Sequence, residues 1–124
     1  WIDFFADKDL PHVERLDRTI TNSPLILGDV VITEVLQGAR NDQEANRLLI
    51  RLRTRCRVHA IVDETNAISA AALSREMRAL GVTIRKTVDL WIAAWCIRHR
   101  IPILHNDRDF SRIAKHGMGL MIFS

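Results

Sequence analysis

The feature that most restricts the fold is a recurrence of short, unbroken apolar runs, each set off by turn or cap residues from segments of helical periodicity. Leu25-Ile26-Leu27 is closed by Gly28 and Asp29, and Arg57-Val58-His59-Ala60-Ile61-Val62 is ended by Asp63. Ile103-Leu104-His105 opens after Pro102, and Leu120-Met121-Ile122-Phe123 follows Gly117 and Gly119. Runs this short, without polar alternation, predict strands covered on both faces. Strands that alternate with helices pair in parallel, because each helix carries the chain back across the sheet. The predicted fold class is therefore α/β with a mostly parallel central sheet.

The helical segments carry their own punctuation. Val30 to Gly38 is apolar except for Thr33, Glu34 and Gln37, with Asp29 read as its cap and Gly38 as its terminator. From Asp42 to about Arg55, Ala45, Leu48, Leu49 and Leu52 recur at helical spacing, and Arg47, Arg51 and Arg55 form an i, i+4 stripe read as a solvated face. Thr65 to Leu80 is an alanine-rich helix stopped by Gly81, its apolar side marked by Ala67, Ala71, Leu73, Met77 and Leu80. Thr87 reads as the cap of a helix from Val88 to about Arg100. The middle of that helix, Leu90-Trp91-Ile92-Ala93-Ala94-Trp95-Cys96-Ile97, is wholly apolar, so it should be buried on most sides. A last helix is predicted from Arg108 to His116.

A chain of 124 residues suits one domain with a single core, residues 1–124 throughout. Hydrophobic content of 48% with 27% charged residues is the mix of a globular chain, not a disordered one. No apolar run approaches the ~20 residues that cross a bilayer and no signal peptide is visible, so no membrane association is expected. Cys56 and Cys96 lie far apart in apolar settings and read as buried free thiols, which fits a reducing cytoplasm. The net charge is +3, and arginine supplies 15 of the 18 basic residues. Guanidinium pairs bidentately with phosphate, so this bias gives mild support for a polyanionic partner.

The run Ile103-Leu104-His105 ends abruptly in Asn106-Asp107-Arg108-Asp109-Phe110. In an open parallel sheet, ligands bind beyond the carboxyl ends of the strands. Glu34 lies in the helix after the first visible strand, Asp89 in the first turn of the most apolar helix, and Asp107 and Asp109 just past the strand 103–105. Each has an ordinary structural reading. Asp89 can complement a helix dipole, worth about 0.3–1 kcal/mol, and Asp107 and Asp109 can form a cap and turn with Arg108 as neutralising neighbour. Against this, Leu90-Trp91-Ile92 implies that the helix end holding Asp89 is buried, where a carboxylate is costly unless something pairs it. Acids from three elements crowding one sheet edge raise each other's pKa unless a cation neutralises them. Oxygen ligands alone point to Mg²⁺ or Mn²⁺, and no cysteine or histidine pair has zinc spacing.

Thr33-Glu34-Val35-Leu36-Gln37-Gly38, Asp89-Leu90-Trp91-Ile92-Ala93-Ala94 and Asn106-Asp107-Arg108-Asp109-Phe110 resemble, in that order, the acidic motifs of the PIN-domain ribonucleases. The opening Trp1-Ile2-Asp3-Phe4-Phe5 looks like the stretch just after that family's first motif. The likeness is greatest to the VapC-type toxins of bacterial toxin–antitoxin pairs and covers essentially the whole chain. It implies a three-layer α/β/α sandwich, metal-dependent endoribonuclease activity, a homodimer, and a small antitoxin that binds over the catalytic groove. Residue by residue, Glu34, Asp89 and Asp107 match the family's second, third and fourth acids. Asp109 matches an acid beside the fourth, and Asn106 a small polar residue that supports the site.

Under that resemblance the carboxylates hold one or two Mg²⁺ or Mn²⁺ ions, and Arg85 and Lys86, just before Asp89, are candidates to grip the RNA backbone. His105 borders the site by sequence and reads as a core residue. The family's first acid sits in a strand just before the segment that Trp1 opens, and Asp3 falls past that motif. The natural protein is expected to carry roughly five to ten further residues, with a start methionine, a β-branched strand and an aspartate about four positions before Trp1. The alternative from a different class is a non-cleaving module that uses the same fold to hold nucleic acid or an antitoxin.

Overall fold

Two parallel strand contacts and five helices organise the described part of the chain. The structure, a computed structural model, describes residues 25–105 and 107–122. Trp1-Ile2-Asp3-Phe4-Phe5, Asn106 and Phe123 lie outside the described residues. The chain divides into two compact units, residues 1–60 and 61–124.

In the first unit, β1 (Leu25–Gly28) pairs in parallel with β2 (Cys56–His59), in a register that sets Leu25 opposite Cys56 and Gly28 opposite His59. Between them run α1 (Asp29–Leu36) and α2 (Asp42–Arg55), the helical return that a parallel pair requires. The cap of α1 is Gly28, not Asp29. Asp29 is already in the first turn, where its Oδ1 accepts from the Val30 amide at 2.9 Å. Helix α2 starts at Asn41, whose side chain accepts from the Glu44 amide at 2.9 Å and satisfies one orphan donor of the first turn. Leu27, Val35 and Leu52 form the buried centre, with Val31, Ile32, Leu36, Leu48 and Cys56 packed around them. Strand β2 stops at His59, so Ala60 to Val62 lie outside it and lead into the next helix cap.

In the second unit, α3 (Glu64–Ala79) packs along α4 (Thr87–His99), and α5 (Arg108–Lys115) packs on α4 in turn. Asp63 caps α3 by accepting from the Asn66 amide at 2.7 Å. The buried side of α3 is Asn66, Ala70, Leu73 and Met77, an i, i+4, i+7, i+11 series. Ala67 and Ala71 are exposed and Leu80 half-exposed, so the apolar side expected from the alanines is rotated by about one residue. Alanine is small enough to sit on either face, and Leu73 and Met77 decide the phase. Gly81 closes α3 in the left-handed region at φ 83°, with Val82 N–H donating to the Met77 carbonyl and Gly81 N–H to the Arg78 carbonyl. Helix α4 begins with Thr87 as its first helical residue, and its cap is Lys86. Leu90, Ala93, Ala94 and Cys96 are buried, while Trp91, Ile92, Trp95 and Ile97 are half-buried against the same core.

The runs expected as strands at 103–105 and 120–123 touch at one parallel bridge, Ile103 opposite Ile122, with Ile103 N–H donating to the Met121 carbonyl at 2.9 Å. Pro102 has no N–H to extend that ladder backwards. No helix among the described residues is long and apolar enough to cross a membrane.

Both cysteines are free thiols, Cys96 buried and Cys56 half-buried, and burial pushes each up to about 11. At neutral pH almost no thiolate is present, and the thiolate is the nucleophile. Alkylation by iodoacetamide at pH 7.5 is expected to be slow in the folded protein and to complete within minutes in denaturant, as read by mass spectrometry. Fast native labelling of Cys96 would show that α4 is less well packed than described.

Candidate metal centre

Three carboxylates of the second unit converge, each delivered by a helix start. Asp89 is the third residue of α4, and its side chain is carried inward with Leu90, leaving it 8% exposed. Asp107 is the cap of α5, its Oδ1 accepting from the Asp109 amide at 2.9 Å. Asp109 lies in the first turn of α5, and its Oδ1 accepts from Arg112 Nη1 at 3.2 Å. Each acid therefore meets the positive end of a helix dipole, which favours a negative charge by about 0.3–1 kcal/mol. One oxygen from each of Asp89, Asp107 and Asp109 lies within 4.8 Å of the other two.

The cluster already attracts a cation. Lys86, the cap residue of α4, donates from Nζ to Asp107 Oδ2 at 3.1 Å. The Asp109 amide, followed by the Lys86 ammonium, holds the Asp107 carboxyl below the usual carboxylate range, and that carboxylate in turn raises the lysine above its ordinary value. The negative charges of Asp89 and Asp109 also reach the ammonium. His105 completes the loop: its Nδ1 accepts from the Asp107 amide at 3.1 Å, and its ring packs on Phe110 with centroids 5.3 Å apart. Since Nδ1 is the acceptor, the neutral ring carries its proton on Nε2. His105 thus holds the turn that presents Asp107, a position between the core residue expected and the site itself.

The donor set is three carboxylates with no sulfur or imidazole among the clustered atoms. Hard oxygen donors suit Mg²⁺ or Mn²⁺, whose ligands sit at about 2.0–2.1 Å from the ion, hence about 3–4 Å apart. The three oxygens, within 4.8 Å of one another, lie near that spacing. The Lys86 ammonium on Asp107 is a cation paired with one of these three carboxylates.

Glu34 is half-buried on α1, in the first unit. Asn106 lies outside the described residues. Arg85 is exposed on the loop before α4. Lys86, read from the sequence as a grip on RNA, is bonded to an acid of the cluster. Asn66, a polar residue without a role in the sequence expectations, is 0% exposed and donates from Nδ2 to the Ile61 carbonyl at 2.8 Å and the Trp91 carbonyl at 2.9 Å. The signal was present: Asn66 is in phase with Ala70, Leu73 and Met77, a polar residue on an apolar face.

A family model described as PIN domain matches residues 1–116. Relatives include the VapC ribonuclease Mb1587 of Mycobacterium bovis and ribonuclease VapC11 of Mycobacterium tuberculosis, each 28% identical over 117 residues, or 93% of this chain and 87% of the relative. Among solved structures, VapBC2 from Rickettsia felis bound to a DNA fragment from their promoter aligns with TM-score 0.72 and 18% identity, over 98% of this chain and 89% of that one. VapBC-1 from nontypeable Haemophilus influenzae aligns with TM-score 0.69 and 22% identity, over 99% and 92%. At such identities the structural likeness speaks for the fold alone, and it agrees with the α/β class read from the apolar runs.

Proposed function

This chain belongs to the PIN domain family, and on that premise we propose that it is a metal-dependent endoribonuclease serving as the toxin of a toxin–antitoxin pair. The observation that carries the reading is the convergence of Asp89, Asp107 and Asp109 within 4.8 Å at two helix starts, with one of the three buried. The ribonuclease names of the relatives support the reaction, and the VapBC assemblies support an antitoxin as partner. The match over residues 1–116 supports reading the chain as one PIN-like domain.

Asp89, Asp107 and Asp109 would hold Mg²⁺ or Mn²⁺, and Glu34 is proposed as a further acid of the machinery on motif order alone. Asn106 is proposed, on the same ground, as a support of the site. When bound, the ion supplies Lewis-acid polarisation of a phosphodiester and acidifies water. The chain's own residues set the conditions for this. The Asp109 amide fixes the rotamer of Asp107, His105 fixes the turn behind it, and the packing of α4 keeps Asp89 from swinging into solvent. Preset ligands lose little freedom when the ion arrives. Arg85, exposed just before α4, is proposed to meet the RNA backbone. A homodimer and a cytoplasmic location complete the reading on the family pattern.

Two measurements test it. RNA incubated with the protein and Mg²⁺ should be cut internally, and EDTA should stop the cut. Mn²⁺ at about 100 times its dissociation constant should stabilise the fold by about 2.7 kcal/mol, seen as a higher melting temperature. RNA binding with no cleavage under either condition would favour a non-cleaving module. Absence of both binding and a Mn²⁺ response would end the proposal.

A further inference from the structure

The two oxygens of Asp107 are not equivalent. Oδ1 is committed to the Asp109 amide at 2.9 Å, a bond that caps α5, and breaking it would loosen the helix start. Oδ2 takes no part in that cap bond and is held by Lys86 Nζ at 3.1 Å. The lysine side chain is 68% exposed and that of Asp107 28% exposed, so the ammonium has water beside it to leave into. Its backbone cannot follow, because Lys86 is the cap residue of α4, three positions before Asp89. The amine is a tethered cation with one end anchored at the helix that carries one acid and the other on an acid from a second helix.

We propose that Lys86 is a built-in competitor for the divalent cation: it occupies the Asp107 oxygen that the ion would take, neutralises the cluster while the ion is absent, and is displaced when the ion binds. This rests on the metal-binding reading of the cluster. Three carboxylates at this spacing repel one another, and one ammonium relieves part of that repulsion. A divalent ion relieves more, since it engages all the acids at once. Displacement does not send Lys86 far. The tether leaves a free ammonium at the rim of the site, where a phosphodiester bound at the ion brings the next negative charge. Lys86 then contacts substrate only in the loaded protein, so its charge opposes loading and favours RNA afterwards.

Opposite signs for the two steps make the test direct. Lys86→Met keeps an unbranched apolar stem as far as the ε position and removes the ammonium, while Lys86→Arg keeps the charge. Mn²⁺ affinity is measured by calorimetry on the full chain without RNA, together with the melting temperature in EDTA. Lys86→Met is expected to bind Mn²⁺ roughly three- to tenfold more tightly than the parent, on the scale of a partly exposed ion pair plus the like-charge repulsion removed. It should also melt at a lower temperature in EDTA and show a raised KM for RNA with Mg²⁺. Lys86→Arg should stay near the parent in all three. Equal or weaker Mn²⁺ binding by Lys86→Met, against a parent that binds, overturns the competitor role and leaves the metal site standing. If neither the parent nor the variant binds Mn²⁺, the metal reading itself has failed.

Discussion

Replacing Asp89 by asparagine is expected to reduce RNA cleavage by at least about 100-fold while leaving the melting temperature in EDTA unchanged or slightly higher. The two halves have one cause. Asp89 is 8% exposed, on a helix otherwise buried by Leu90, Ala93, Ala94 and Cys96, and its carboxylate approaches those of Asp107 and Asp109 within 4.8 Å. Without a divalent ion that proximity is repulsive, so a neutral amide of the same shape relieves the folded state. With an ion it is the source of affinity, and the amide removes a full negative charge from the ligand set. Loss of residues that only orient ligands already costs 10–100-fold in affinity or activity, so loss of a ligand charge should exceed it. The thermal shift caused by Mn²⁺ should disappear in step. A Mn²⁺ shift of parental size in Asp89→Asn would remove this residue from the ligand set.

The acids were legible in the sequence because each violates its surroundings. Asp89 stands in front of a wholly apolar helix, and Asp107 and Asp109 end an apolar run. Burial of a carboxylate needs a reason, so these positions could be marked without coordinates. What the sequence does not carry is which cation answers them. Lys86 reads equally well as a surface lysine aimed at RNA, since an ion pair 21 residues apart in the chain leaves no local spacing to detect. Its partner was settled by the packing of α4 against α5, which brings the two helix starts together.

The same division runs through the fold. Long apolar helices and their stops were readable because the period and the caps agree: α2 covers Asp42–Arg55 as expected, and Gly81 closes α3. The caps that misled are those where two adjacent residues both qualify. Asp29 and Thr87 have good capping side chains, yet Gly28 and Lys86 are the caps, because the strand and loop before them deliver the backbone to the helix one residue early. Strand length was the other error. An apolar run marks a segment that wants burial, whereas a ladder needs a partner in register, and among the described residues Ile103 meets Ile122 in a single bridge.

Asn66→Ala is expected to destabilise the protein by about 2–4 kcal/mol and to lower its melting temperature by roughly 10 °C. Asn66 is 0% exposed, and its Nδ2 serves two carbonyls: Ile61, where the chain enters the cap of α3, and Trp91, two residues beyond Asp89 on α4. Truncation strips a donor from both acceptors at once, and a buried group that loses a partner costs about 1–3 kcal/mol. Its Oδ1 contributes less, since Arg98 approaches it at 3.4 Å and, being exposed, can turn to water. Asn66→Asp separates the hydrogen bonds from simple packing. It fills the same volume, yet at pH 7 it sets a carboxylate against two carbonyl oxygens, so it should be less stable than Asn66→Ala. Protonation returns one donor, so the pKa of the new carboxyl is raised in the folded state. Stability of Asn66→Asp should therefore rise as pH falls from 7 toward 5, relative to Asn66→Ala. Melting curves across that range decide the matter. An Asn66→Ala protein that melts within a degree or two of its parent would mean that the bonds to Ile61 and Trp91 hold nothing together, and that α3 and α4 are joined by their apolar faces alone.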